Sequence, residues 1–96
     1  ILFTATKSSR NPYFNIIEQK NNKIKTAITI KGKKYYRRQD APQCYDLTTV
    51  CYIFKPLYVL KNKNLFSGKA SFQEISKEYS LDIDDKFDYK LARLLF

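Results

Sequence analysis

Asp82 and Asp84, in the run Ser80-Leu81-Asp82-Ile83-Asp84-Asp85, are the residues whose type and spacing point most directly to chemistry. In an extended backbone, side chains at i and i+2 leave on one face, so the two carboxylates converge while Leu81 and Ile83 turn the other way. Such a pair is a seat for a hard cation, which prefers carboxylate and water oxygens. Other chemistry is scarce. Cys44 and Cys51 are seven positions apart with no C-x-x-C, and the chain has no histidine, so neither zinc ligation nor Cys-His catalysis is supported. The commonest general base near neutral pH is therefore absent. Two ordinary thiols suit a reducing compartment, and a cytoplasmic location is expected.

The elements that must position the pair come next. Asp84 reads as the cap of a last helix, its carboxylate accepting from first-turn N–H groups, with Asp85 favoured by the same end of the dipole. Phe87, Leu91, Leu94 and Leu95 fall at i, i+4, i+7 and i+8 and form one apolar stripe, so this helix is expected to pack on a sheet. Capping explains Asp84 by itself but leaves Asp82 without a structural reason.

Upstream, Ile1 to Thr6 reads as a buried strand ending in the turn residues before Pro12, and it calls for sheet neighbours that these 96 residues do not obviously provide and that a preceding segment could supply. Tyr13 to Glu18 and Lys23 to Ile30 read as strands joined by Gln19-Lys20-Asn21-Asn22, which makes a β-hairpin. Its apolar face needs a cover, for which a partner subunit serves as well as the chain's own core. Thr48 to Phe54 reads as a buried strand stopped at Lys55-Pro56. Pro56 then opens a short helix over Leu57 to Lys61, with Leu57, Leu60 and Val59 inward. Ala70 to Ile75 reads as a further strand.

Length and charge bound what these elements can do. Ninety-six residues make one domain at most, and so short a chain hides only roughly 60–65% of its unfolded surface. The sequence opens Ile1-Leu2-Phe3 with no Met and no leader-like segment and runs straight into ordered-looking sequence, so it reads as a piece of a longer chain. The formal charge is +9, from 18 basic and 9 acidic residues. No apolar run approaches the ~20 residues of a membrane helix, and no membrane partner is expected. A basic excess attracts nucleic acid, anionic membrane surfaces and phosphorylated or carboxylated small molecules alike.

Taken together, Arg10-Asn11-Pro12-Tyr13-Phe14-Asn15, Arg38-Gln39-Asp40-Ala41-Pro42 with Tyr45, Thr48-Thr49-Val50 and Tyr52, Phe66-x-Gly68-Lys69, and Ser80-x-Asp82-Ile83-Asp84-x-x-x-Asp88 with Leu91-Ala92 form a pattern. In order and spacing it resembles the C-terminal part of an acylneuraminate cytidylyltransferase, the family that makes CMP-activated sialic acids and related nonulosonates. The resemblance runs over residues 3 to 96. It implies an α/β fold, the C-terminal fragment of a Rossmann-like nucleotide-diphospho-sugar transferase, with a dimerisation hairpin and loop at about 13–38 and the metal motif and helix at 82–96. It implies transfer of CMP from CTP to an acidic nine-carbon sugar with release of pyrophosphate. Asp82 and Asp84 match the family's Mg²⁺-holding aspartates. Arg38 matches an arginine that reaches the partner subunit's site in a homodimer to contact the acidic sugar. Tyr52 and Phe66 match positions lining the sugar pocket, although as aromatics in an apolar strand and loop they read equally well as core.

Three departures accompany the match. The family's N-terminal nucleotide-binding half is absent, and Gly32 and Gly68, the chain's two glycines, cannot build a phosphate-cradling loop. The piece alone is therefore expected to be inactive. Thr48-Thr49 stands where many sialic acid members have Asn-Gly, which points to a related nonulosonate. The alternative is a small basic β-rich nucleic-acid-binding module, suggested by Lys33-Lys34-Tyr35-Tyr36-Arg37-Arg38. It gives no reason for paired carboxylates, which repel phosphates.

Overall fold

A computed structural model describes residues 1–96. In chain order the elements are β1 (Leu2–Lys7), β2 (Ile17–Lys20), β3 (Lys23–Thr26), β4 (Tyr45–Ile53), α1 (Pro56–Lys61), β5 (Ser71–Glu74) and α2 (Lys86–Leu95). Short 3₁₀ turns lie at Arg38–Asp40 and Lys77–Ser80. The fold is α/β and divides into two units, one of Ile1–Thr6 with Asp46–Phe96 and the other of Lys7–Tyr45. No helix is long and apolar enough to cross a membrane.

In the first unit the sheet order is β4-β1-β5. β1 and β5 run parallel, pairing Leu2 with Ser71 through Ala5 with Glu74. The neighbours that β1 requires thus come from the chain itself. Thr4 on β1 faces Thr48 on β4. The sheet is mixed. The alternation of β1 sends Phe3 to one face, where it stacks on Phe72 (6.5 Å) and meets Phe66 edge-on (5.7 Å). It sends Thr4 to the other face, where the Thr4 and Thr48 hydroxyls hydrogen-bond and Thr48 Oγ1 also donates to the Thr4 carbonyl at 3.1 Å. Phe3 and Ala5 are the buried hydrophobic residues, so the core is small.

α1 begins at Pro56, as the sequence predicts, but Leu57, Val59 and Leu60 are all exposed. The side chain that ties α1 down is Tyr58. Its hydroxyl donates to the Leu65 carbonyl at 2.6 Å and accepts from the Gly68 N–H at 3.3 Å, while its carbonyl accepts from Asn62 Nδ2 at 2.9 Å. α2 also departs from expectation. Its stripe of Phe87, Leu91, Leu94 and Leu95 is exposed, Leu94 by 85%, and the helix buries no residue.

In the second unit β2 and β3 form the hairpin, paired from Ile17 with Thr26 to Lys20 with Lys23. Asn21 (φ 52°) and Asn22 (φ 63°) make the two-residue turn. Positive φ at both positions matches the twist of a hairpin, and asparagine tolerates it. The strands are shorter than the sequence suggests. Pro12 opens a turn in which the Asn11 carbonyl accepts from the N–H groups of Phe14, Asn15 and Ile16, so Tyr13 to Ile16 are not extended. β3 ends because, after Ala27 donates in register to the Ile16 carbonyl, Ile28 leaves the ladder and donates to the Pro12 carbonyl.

A Cβ at position 68 would lie 2.6 Å from Asn62 Oδ1 and 2.7 Å from Tyr58 Cε2, whereas one at position 32 meets nothing within 4 Å. Gly68→Ala should therefore cost about 1–3 kcal/mol, the usual range for overpacking against a held side chain. Gly32, at φ +79°, would bear only the left-handed backbone cost of roughly 1–2 kcal/mol. Urea unfolding of the 96-residue chain checks this, and a neutral Gly68→Ala would show that the Tyr58 tether is not held as described.

Candidate functional site

Asp82 and Asp84 lie in the connection from the Lys77–Ser80 turn to α2, a stretch with neither helical nor sheet hydrogen bonding. Both are exposed. The cap of α2 is Asp85 rather than Asp84. Asp85 Oδ1 accepts from the Asp88 N–H at 2.8 Å, and Asp88 Oδ2 accepts from the Asp84 N–H at 3.0 Å. This is a reciprocal capping arrangement in which an acid at the third helical position reaches back to the chain before the helix. It fixes the Asp84 backbone and leaves the carboxylates of Asp82 and Asp84 without a hydrogen-bond or ion-pair partner.

No group of three or more His, Cys, Asp or Glu gathers anywhere in the chain. Two free carboxylates fit a hard ion such as Mg²⁺, which keeps several waters and takes further oxygens from substrate phosphates. They do not fit an all-protein cage.

Arg38 belongs to the second unit, at the start of its 3₁₀ turn. Its Nη2 donates to the Ser8 carbonyl at 2.6 Å, and it lines a cleft of about 400 Å³ with Ser8, Asn11, Gln39, Ala41 and Gln43. Asn11, 5% exposed, organises that cleft. Its Nδ2 donates to the Pro42 carbonyl at 2.7 Å, its Oδ1 accepts from the Tyr13 N–H at 2.9 Å, and its N–H donates to Asn15 Oδ1 at 2.6 Å. The neighbouring Arg37 is taken up by Asp40 at 3.1 Å. Two cations of the basic run thus turn to the chain itself. Lys33, Lys34, Tyr35 and Tyr36 line a wider groove with Tyr13, whose ring meets Tyr35 edge-on.

Tyr52 is half-buried on β4 and lines a mostly apolar cleft of about 410 Å³ with Ile1, Phe54, Tyr58 and Leu65. Phe66 is 63% exposed, with one edge against Phe3. No hydrogen bond, ion pair or ring contact joins Asp82 or Asp84 to Tyr52 or Phe66. The residues missed from sequence are Asn11, Tyr58 and Asp88. Asn11 before Pro12 carried a readable turn signal, and Asp85-x-x-Asp88 a readable capping spacing. Nothing local marked Tyr58.

Two curated proteins align with nearly the whole chain. The CMP-N,N'-diacetyllegionaminic acid synthase of Campylobacter jejuni is 37% identical over 94 residues, which is 98% of this chain and 39% of that protein. The chain is similar to part of a CMP-nonulosonate synthase. A post-translational flagellin modification protein B of Campylobacter coli is 33% identical over 94 residues, again 98% of this chain and 39% of that protein. The chain therefore spans about two-fifths of the length of the curated relatives it matches. No family model matches it, and no solved structure does. The relatives lend no support to a nucleic-acid module.

Moving the cap to Asp85 has a measurable consequence. Asp85→Ala should destabilise α2 by about 0.5–2 kcal/mol, the range for losing an N-cap, whereas Asp84→Ala should leave its helicity nearly unchanged. Circular dichroism and thermal melting of both variants check this, and the reverse ranking would return the cap to Asp84.

Proposed function

We propose that this chain is the C-terminal portion of a cytidylyltransferase that transfers CMP from CTP to an acidic nine-carbon sugar of the nonulosonate class, releasing pyrophosphate. The observation that carries this reading is the 37% identity to a CMP-N,N'-diacetyllegionaminic acid synthase along 98% of the chain. The same relative, together with Thr48-Thr49, favours a legionaminic acid-like sugar over sialic acid itself.

Each residue then has a role. Asp82 and Asp84 hold Mg²⁺ through the two carboxylates that capping leaves free. When bound, the ion stabilises negative charge on the triphosphate and on the departing pyrophosphate. Arg38 meets the acidic sugar of a partner subunit. Its tie to the Ser8 carbonyl orients the guanidinium fork, so that its remaining donors can hold a carboxylate at two points. Tyr52 and Phe66 offer ring faces to the apolar side of the sugar, and the aromatic ring at 66 is steadied by Phe3. The hairpin and loop at 13–38 serve the homodimer, for which the exposed Ile17 and Ile24 supply apolar surface. Cytosine, ribose and triphosphate binding fall to the part of the enzyme that this chain does not cover, in a soluble, cytoplasmic protein.

On its own the 96-residue chain should form no CMP-sugar from CTP, and turnover by the purified chain would overturn the assignment of nucleotide binding elsewhere. In an enzyme completed with the remaining three-fifths of the relative, Asp82→Asn and Asp84→Asn should each lower Mg²⁺-dependent turnover at least a hundredfold while leaving the circular dichroism unchanged. Unaltered turnover in either would remove that residue from the metal site.

A further inference from the structure

We propose that Tyr58 is a positioning residue for the sugar, its hydroxyl clamping the loop that presents the Phe66 ring. The inference rests on the functional reading above, in which Phe66 faces the sugar. Phe66 stands in the loop between α1 and β5, with 63% of its surface exposed. Burial therefore does not hold the ring, whose aromatic contact is one edge against Phe3 at 5.7 Å. The loop's own hydrogen bonds shape it without anchoring it. Asn64 Oδ1 accepts from the Phe66 N–H at 2.9 Å, and Ser67 Oγ donates to the Asn64 carbonyl at 3.1 Å, so both tie the turn only to itself.

Tyr58 supplies the anchor. Its hydroxyl donates to the Leu65 carbonyl at 2.6 Å and accepts from the Gly68 N–H at 3.3 Å, so it grips the backbone on both flanks of Phe66. A phenol has one proton to give and lone pairs that receive, and here one hydroxyl does both. The anchor is itself fixed, because Tyr58 is half-buried on α1 and its carbonyl accepts from Asn62 Nδ2. The close approach is possible because residue 68 is glycine: a Cβ there would lie 2.7 Å from Tyr58 Cε2. The Tyr58 ring also lines the apolar cleft that Tyr52 lines. One side chain thus serves both aromatic residues assigned to the sugar, through its ring at Tyr52 and its hydroxyl at Phe66. An exposed phenylalanine by itself means little. One whose backbone is held on both flanks is preorganised, and a ligand gains affinity from a contact that needs no ordering when it binds.

The test uses the enzyme completed with the remaining three-fifths of the relative, with N,N'-diacetyllegionaminic acid varied at saturating CTP. Tyr58→Phe keeps the ring and deletes the hydroxyl. It should raise KM for the sugar about fivefold, the size of one lost hydrogen bond, while kcat and KM for CTP stay within about twofold. Phe66→Ala should also raise KM for the sugar, and adding Tyr58→Phe to it should raise KM no further, since the clamp then has no ring to place. In the 96-residue chain, Tyr58→Phe should speed exchange of the Gly68 amide about fivefold. An unchanged sugar KM in Tyr58→Phe overturns the proposal. It is overturned equally by an unaltered Gly68 amide, by matching rises in KM for sugar and CTP, or by a rise that persists on the Phe66→Ala background. If Tyr58→Phe does not fold, Gly68→Ala, which crowds the same ring from the loop side, carries the same kinetic expectations. A normal sugar KM in Phe66→Ala removes Phe66 from the sugar site and the clamp's role with it. A raised KM in Phe66→Ala beside a silent Tyr58→Phe leaves the functional reading standing and removes only the clamp. No turnover in the unsubstituted completed enzyme removes that reading, and the proposal with it.

Discussion

The buried contact between Thr4 and Thr48 sets the register on which the first unit depends. Two hydroxyls on facing strands satisfy each other, and Thr48 also reaches the Thr4 carbonyl. A slip of one residue would turn Thr48 toward the Phe3 face and leave a hydroxyl buried without a partner, at a cost of roughly 1–3 kcal/mol. Because side chains alternate along a strand, the same contact decides where Tyr52 points, four positions further along β4. It also puts Phe3 on the face where Phe66 and Phe72 pack, so a polar pair on one side of the sheet aligns the aromatic cluster on the other.

The aromatic cluster is small, and polar tethers hold much of what lies around it. The loop after α1 is secured by the Tyr58 hydroxyl rather than by Leu57 or Leu60, and Gly68 lets the backbone come close enough to be held. In the second unit Asn11 does comparable work through its side chain and backbone together. Such tethers fix geometry with little apolar burial. They are consistent with a chain whose Leu, Ile and Phe side chains are mostly exposed while two hydrophobic residues are buried.

Where the sequence was legible, local physics sufficed. Pro56 opened α1, the Asn21-Asn22 pair formed the hairpin turn, and the apolar run at the start became the central strand. The errors arose where partners are distant in sequence or where two local signals compete. Tyr13 to Ile16 have strand-like composition, but Pro12 and the Asn11 carbonyl close a turn over them. Leu57, Leu60 and the α2 stripe have the right periodicity, yet periodicity reveals only that a face is apolar and never what covers it. Asp84 and Asp85 were both candidate caps, and the spacing to Asp88 decided between them.

That decision changes the meaning of the acidic pair. The chain has twice as many basic as acidic residues, 18 against 9, so an acid readily finds a partner. Glu18 pairs with Lys25, Asp40 with Arg37, Asp85 and Asp88 are engaged at the start of α2, and Asp46 and Glu74 each have a partner. Glu78, Asp82 and Asp84 stand apart from all of these, and of the three only Asp82 and Asp84 are two positions apart. Had Asp84 been the cap, its carboxylate would have been committed to first-turn N–H groups, and a cation would have had to compete with them. With Asp85 in that place, Asp88 holds only the backbone of Asp84, and its side chain stays available. A helix start that fixes the chain just beyond the pair while consuming neither carboxylate leaves both of them available.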